Sequence, residues 1–294
     1  MEKTGVHHPK DARRSTAMAA HGPEIGDMEA LRYSNAGKPV LLLHGICSTG
    51  ASMRPMADAL RHRGYHVTAP TLAETLRTGL SSDGLDLAKL SLHDYFVEAR
   101  DHALVIAKAH GVRPLVIGHS NGALMALALA GCGCVHAAIL AAPAPPPSVK
   151  GAPFWVRRLL FARIFGNRWS NRPVQFQPRW PFGSEQPPDH LVASMCPDSG
   201  QAMADALAPS RGGVFDPPPP LPCPAVVVAG ERDRLVPLHL AQAIARRFDL
   251  EITVVKDAGH WLIGDSPSIE KIVDAAASIT VTEAVAMGSD QPAN

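Results

Sequence analysis

Six short runs rich in Val, Ile, Leu and Ala, at residues 40–43, 66–69, 114–117, 136–141, 225–229 and 252–255, recur along the chain with helical patterns between them. Strands that read as nearly continuous apolar runs are buried on both faces, and parallel strands need crossover connections such as helices. This alternation specifies an α/β fold, a mostly parallel central sheet flanked by helices. A length of 294 residues is enough for one large domain of this kind. With 46% apolar and 19% charged residues, and 28 Lys and Arg against 27 Asp and Glu, the chain is neither a disordered polymer nor a polycationic nucleic-acid binder.

Residues 1–37 lack apolar periodicity and read as an irregular extension, and the first 24 contain no continuous apolar core of a secretory signal. Five cysteines, an odd number without a CxxC pair, fit a reducing, cytoplasmic setting and point to no metal site. The apolar stretch 123–144 reads as a buried helix followed by a buried strand, so no stable membrane insertion is expected. Ser91 and Asp94 form a capping box ahead of Phe96, Ala99, Ala103 and Ile106, and Gly111 supplies the stop. A second helix follows Pro237, with Leu238, Ala241, Ile244, Ala245 and Phe248 on its apolar face. A last one carries Ile269, Ile272, Val273 and Ala276, and residues 283–294 read as a frayed tail.

Proline clusters at 143–153 and 217–224 bracket a stretch that breaks the alternation. Eight of the fifteen aromatic residues of the chain fall between Phe154 and Phe182, so this stretch lines or covers something apolar. Within it, Phe154, Trp155, Leu159, Phe161, Ile164 and Phe165 alternate with arginines; a helix packed over a cleft is favoured over one lying on a membrane surface.

Gly118-His119-Ser120-Asn121-Gly122 stands between the run 114–117 and a helical pattern through Ala123, Met125, Ala126 and Leu129. That is the strand-turn-helix setting of a nucleophile elbow, in which small residues let the strand and helix backbones approach. A serine hydroxyl becomes a nucleophile only when a base takes its proton, and the base needs an orienting carboxylate. His260, after the run 252–255, is the expected base. Asp233, after 225–229, is its partner, with Glu231 as the alternative acid. All three positions follow strands at one carboxyl edge, where open α/β sheets bind ligands. Acyl transfer also needs two amides aimed at the developing oxyanion, and Ile46 and Asn121 are placed to supply them. His44 reads as a structural histidine, Cys47 as a pocket wall, and Ser48 and Thr49 as caps of the helix containing Pro55.

With these residues in place, the sequence resembles the α/β-hydrolase superfamily over about residues 38–280. The likeness rests on His44-Gly45, the elbow around Ser120, Gly230 to Asp233 running into Leu235-Val236-Pro237, and Asp257 to His260. The resemblance implies an α/β-hydrolase core over 38–144 and 223–282 with an inserted helical cap over 145–222. It implies an acyl-enzyme on Ser120, generated with His260 and Asp233 and resolved by water. The expected reaction is hydrolysis of a carboxylic ester or lactone of a fairly apolar small molecule, with no cofactor and no nucleic-acid partner. Cys47, Trp155, Phe161 and Trp261 are the candidate substrate-binding residues. A thioesterase or acyltransferase shares the same machinery. Hydroxynitrile lyases of similar sequence carry a lysine where this chain has Trp261, which ranks that outcome lower, and a non-catalytic receptor is the reading from another class. One departure is Pro70-Thr71-Leu72-Ala73-Glu74, where many members have an acidic, glycine-rich turn.

Overall fold

A computed structural model describes residues 37–77, 85–149, 172–175, 187–207 and 213–288, all within the compact unit Tyr33–Asn294. Each of the six apolar runs forms a strand: β1 (Pro39–Leu43), β2 (His66–Thr68), β3 (Leu115–His119), β4 (Ala137–Ala141), β5 (Ala225–Gly230) and β6 (Glu251–Val255). They make one sheet in the order β2-β1-β3-β4-β5-β6, with every neighbouring pair parallel. The chain steps outward from β1 to β2, then crosses back past β1 to β3. A crevice opens at the carboxyl ends where strand order reverses in this way, here between the loops that follow β1 and β3.

Side chains alternate along each strand, so the two sheet faces have separate cores. Leu41, Leu43, Val116, Leu140 and Val227 face α4 (Leu92–His110), α5 (Asn121–Gly131) and α8 (Leu238–Phe248). Val40, Leu42, Ile117, Ile139 and Val228 face α1 (Arg54–His62) and α9 (Ser266–Gly288). The sides of α4, α8 and α9 that face these cores carry the residues expected from periodicity. In α4 the Ser91–Asp94 box is complete and Gly111 caps the helix at φ 71°. The stretch 123–144 is indeed buried helix then strand, and no described helix is long and apolar enough to cross a membrane.

Two expectations are corrected. Helix α9 continues to Gly288 rather than ending before a tail at 283, because no Gly or Pro interrupts it between Ser268 and that glycine. Ser48 and Thr49 do not cap the helix containing Pro55: the short 3-10 turn Gly50–Met53 precedes α1, and neither N-cap position makes a side-chain cap bond. Instead Ser48 Oγ donates to Ser52 Oγ at 2.6 Å and Thr49 Oγ1 to the Ser194 carbonyl at 3.1 Å.

Within the stretch 145–222, the described residues include α6 (Asp189–Ala193), α7 (Gly200–Leu207) and an antiparallel bridge between Val174 and Asp198. The aromatic stretch 154–165, with Trp155 and Phe161, lies outside the described residues, as do residues 1–36. The remaining short helices, α2 (Glu74–Arg77) and α3 (Leu85–Lys89), precede α4.

Candidate active site

Ser120 sits on the turn between β3 and α5 at φ 56°, ψ −117°, a left-handed region that non-glycine residues seldom adopt. Such strain persists only where the surroundings over-determine it. The Ser120 amide donates to the Ala141 carbonyl at 2.9 Å, and its own carbonyl accepts from the amides of Ala123, Leu124 and Ala144. A methyl group on Gly118 would run into the backbone of Gly122, and one on Gly122 into the carbonyls of Leu43 and His44. The two glycines of the motif are therefore what allow β3, α5 and the loop after β1 to touch. Five of the six described non-glycine residues with positive φ, namely Cys47, Ala73, Ser120, Ala142 and Asp257, occupy loops leaving the carboxyl ends of strands. Strain is concentrated at one rim of the sheet.

At that rim His260 Nδ1 lies 2.9 Å from Asp233 Oδ2, with both side chains almost fully buried. The other carboxylate oxygen, Asp233 Oδ1, accepts from the amides of Leu235 at 2.8 Å and Val236 at 2.7 Å. An ionised carboxylate only accepts, so the Nδ1 proton belongs between the two side chains and leaves the His260 Nε2 lone pair unprotonated in the neutral ring. Glu231 instead takes the exposed Asp257 amide at 3.0 Å. The loops after β5 and β6 are laced together by Glu231 N to Val255 O and Arg232 N to Ala258 O. The Ser120 hydroxyl forms no hydrogen bond to the His260 ring or to any other described residue.

Two further histidines flank the site. His119 donates from Nε2 to the His260 carbonyl at 2.8 Å, and its ring stands 4.9 Å from the His260 ring. Burial, reinforced by His260, lowers its pKa to about 3. His44 accepts the Leu72 amide on Nε2 at 3.0 Å and donates from Nδ1 to the Gly45 carbonyl at 2.8 Å, the structural part expected of it. Burial, with Arg77 nearby, lowers its pKa to about 4. The departure at residues 70–74 anchors this loop: Leu72 holds His44, Thr71 Oγ1 accepts the Gly50 amide, and the Ala73 amide donates to Glu98.

The amides of Ile46 and Asn121 have no acceptor among the described residues, and both residues line a small cavity of about 10 Å³ with Gly45, Arg77 and Asp198. That is about the space of one water molecule. The Trp261 and His260 rings stand nearly perpendicular, with centroids 5.3 Å apart. Cys47 is fully buried, with its thiol 3.6 Å from the Val174 carbonyl, and is not among the residues lining this cavity. A wider cleft of about 780 Å³ lies at the amino ends of β5 and β6, lined by Leu221, Cys223, Glu251 and Lys271, away from the strained rim.

A buried ionic group beside the loop after β1 was not anticipated. Arg77 Nη2 and Asp198 Oδ1 are 2.9 Å apart with both side chains nearly inaccessible, and the Tyr95 hydroxyl donates to the same oxygen at 2.7 Å. Burial and Asp198 raise the Tyr95 pKa, which keeps the phenol a donor. Asp198 precedes Ser199, whose hydroxyl accepts the Ala202 amide at the start of α7. With Ser199 serving the helix, the adjacent Asp198 is left over as a buried acidic residue, the local signal of another task.

The Alpha/beta hydrolase family model matches residues 40–270. Among solved structures, polyneuridine aldehyde esterase is 15% identical at TM-score 0.61, over 82% of this chain and 99% of that one. A pyrethroid hydrolase from Sphingobium faniae is 20% identical at TM-score 0.57, over 82% and 96%. A thioesterase domain from the curacin biosynthetic pathway is 19% identical at TM-score 0.55, over 82% and 93%. Comparison with curated proteins gives no match. The parallel sheet, the elbow after β3 and the extent of the matched model agree: the chain belongs to the alpha/beta hydrolase family.

Proposed function

We propose that the protein is a serine hydrolase that cleaves a carboxylic ester or lactone of a fairly apolar small molecule through an acyl-enzyme on Ser120. The observation that carries this reading is the buried Asp233–His260 bond, which engages Nδ1 and leaves Nε2 available as a base, in a loop at the same carboxyl edge of the sheet as the strained turn of Ser120. In this reading His260 Nε2 takes the Ser120 proton as Oγ attacks the carbonyl carbon. Asp233 holds the ring and stabilises the imidazolium that forms. The amides of Ile46 and Asn121, without other acceptors, receive the oxyanion. The imidazolium then protonates the leaving alcohol, and water, deprotonated by the same nitrogen, releases the acid. The low pKa of His119 keeps the ring beside His260 neutral while His260 is charged, so two cations do not meet across 4.9 Å. Apo hydrogen bonds in such sites commonly tighten only when substrate arrives, which accommodates the unbonded Ser120 hydroxyl.

The test is turnover of p-nitrophenyl acetate and of acyl thioesters by the wild type and Ser120→Ala, with covalent capture by a fluorophosphonate read by mass spectrometry. Ser120→Ala is expected to lose at least 10³-fold in kcat and all capture, with an unchanged melting temperature. Wild-type turnover in that variant would overturn the reading, and faster acyl-thioester cleavage would move the substrate class to thioesters.

A further inference from the structure

Ile46 lies between two peptide planes that are each tied down from a different direction. The Gly45–Ile46 plane is held through the Gly45 carbonyl, which accepts from His44 Nδ1. The Ile46–Cys47 plane is held through the Cys47 amide, which donates to Asp198 Oδ2 at 2.7 Å. The next plane is held through the Cys47 carbonyl, which accepts the Cys196 amide at 3.1 Å. The one after it is held through the Ser48 carbonyl, which accepts from Arg77 Nη1 at 3.2 Å. Four successive planes are thus fixed, and the Arg77–Asp198 pair accounts for two of them.

Cys47 is one of the strained rim residues, at φ 54°, so without such ties the loop would relax toward ordinary backbone angles. Four donors converge on Asp198: the Cys47 and Ser199 amides, the Tyr95 hydroxyl and the Arg77 guanidinium. Arg77 also donates to the Pro197 carbonyl, while its Nε has no partner among the described residues. This group belongs neither to the nucleophile nor to its base, and its two charges cancel each other within hydrogen-bonding distance.

We propose that Asp198, steadied by Arg77 and Tyr95, is the positioning residue of the loop after β1, taking the Cys47 amide so that the Ile46 amide is presented to the reacting oxygen. The proposal rests on the reading of Ile46 as an oxyanion donor. A lone carboxylate one residue away would oppose a developing anion. Arg77 neutralises it, so the contribution is one of geometry.

Asp198→Asn separates geometry from charge. With Oδ1 facing Arg77, Tyr95 and Ser199, the asparagine NH2 faces the Cys47 amide, donor against donor, while Arg77 is left with an unbalanced positive charge near the oxyanion. If charge governed the site, kcat would hold or rise. The geometric role requires kcat for p-nitrophenyl acetate to fall about 10- to 100-fold, comparable with the loss of one oxyanion donor, with KM changed less than about threefold. The Ki of an aryl trifluoromethyl ketone, which forms a tetrahedral adduct, should rise by the factor by which kcat/KM falls. Arg77→Gln with Asp198→Asn, which is charge-neutral, should behave the same way. Should either variant melt below the assay temperature, Tyr95→Phe loosens the same carboxylate through its other oxygen, with a fall in kcat of a few-fold expected at constant KM. Unchanged kcat and Ki in a folded Asp198→Asn, or unchanged kcat in Tyr95→Phe if that is the variant read, overturns the proposal. So does a rise in KM alone. Ser120→Ala is run alongside. If it is inactive while Asp198→Asn is normal, only the positioning role fails; if it is fully active, the hydrolase reading fails and this proposal with it.

Discussion

A single methyl group separates a usable rim from an unusable one at several glycines. At Gly230 an added Cβ would strike the carbonyls of Gly259 and Ala258, which are backbone atoms with no rotamer to escape into. Gly230→Ala should therefore push the loop bearing His260 off the loop bearing Asp233, lowering kcat at least tenfold along with a stability loss of about 1–3 kcal/mol. Gly64, at φ 85° with open space around its Cβ position, is the control. Gly64→Ala should cost about 1–2 kcal/mol of left-handed strain and leave kcat alone, as read by urea denaturation and ester turnover. Equal effects of the two changes on kcat would contradict the idea that contact with neighbouring backbone is what matters at position 230. Ser120, Asp233 and His260 could be found in the sequence because each follows a readable strand and the elbow glycines are required by backbone contact. Arg77, Tyr95 and Asp198 could not, since they come from a short helix, a long one and the turn before α7. No periodicity links positions 77, 95 and 198; only the folded chain makes them neighbours.

Elements were legible where burial and local chemistry agree. The α4 helix has both a reciprocal cap, with the Ser91 hydroxyl accepting the Asp94 amide at 3.2 Å, and a left-handed glycine at its end. Its start is also held by Asp205 of α7, which accepts the Leu92 amide at 3.0 Å. Ser91→Ala should cost about 1 kcal/mol, measurable as a lower denaturation midpoint with unchanged kcat, because the cap is exposed. A loss of activity without a loss of stability would show that α4 does more than support the sheet. The caps expected of Ser48 and Thr49 failed for a related reason. Polar side chains ahead of a proline-containing helix resemble caps, but here an intervening 3-10 turn moves the helix start to Arg54, and the two hydroxyls turn to Ser52 and Ser194.

Taken as a whole, the molecule carries two buried histidines that resist protonation. His44 has its pKa lowered to about 4 and His119 to about 3, in both cases chiefly by burial, whereas an unfolded chain would protonate them near 6.5. As the pH falls below 6.5 the unfolded state takes up protons that the folded state refuses, so stability declines with acid and levels off above about pH 7. The slope approaches about 1.4 kcal/mol per pH unit for each histidine between pH 6 and 4.5. Urea midpoints measured from pH 8 to 4.5 should be flat at the upper end and drop at the lower; a flat profile throughout would refute the assignment. Within the 145–222 stretch, residues 194–198 are sewn to the core through Cys47, Thr49 and Arg77. Exchanging that stretch for one from another hydrolase is therefore not a modular operation. A chimera keeps the native shape of the loop after β1 only if the donor segment brings an acidic side chain to the place of Asp198, or if residues 44–49 and 71–77 are transplanted with it.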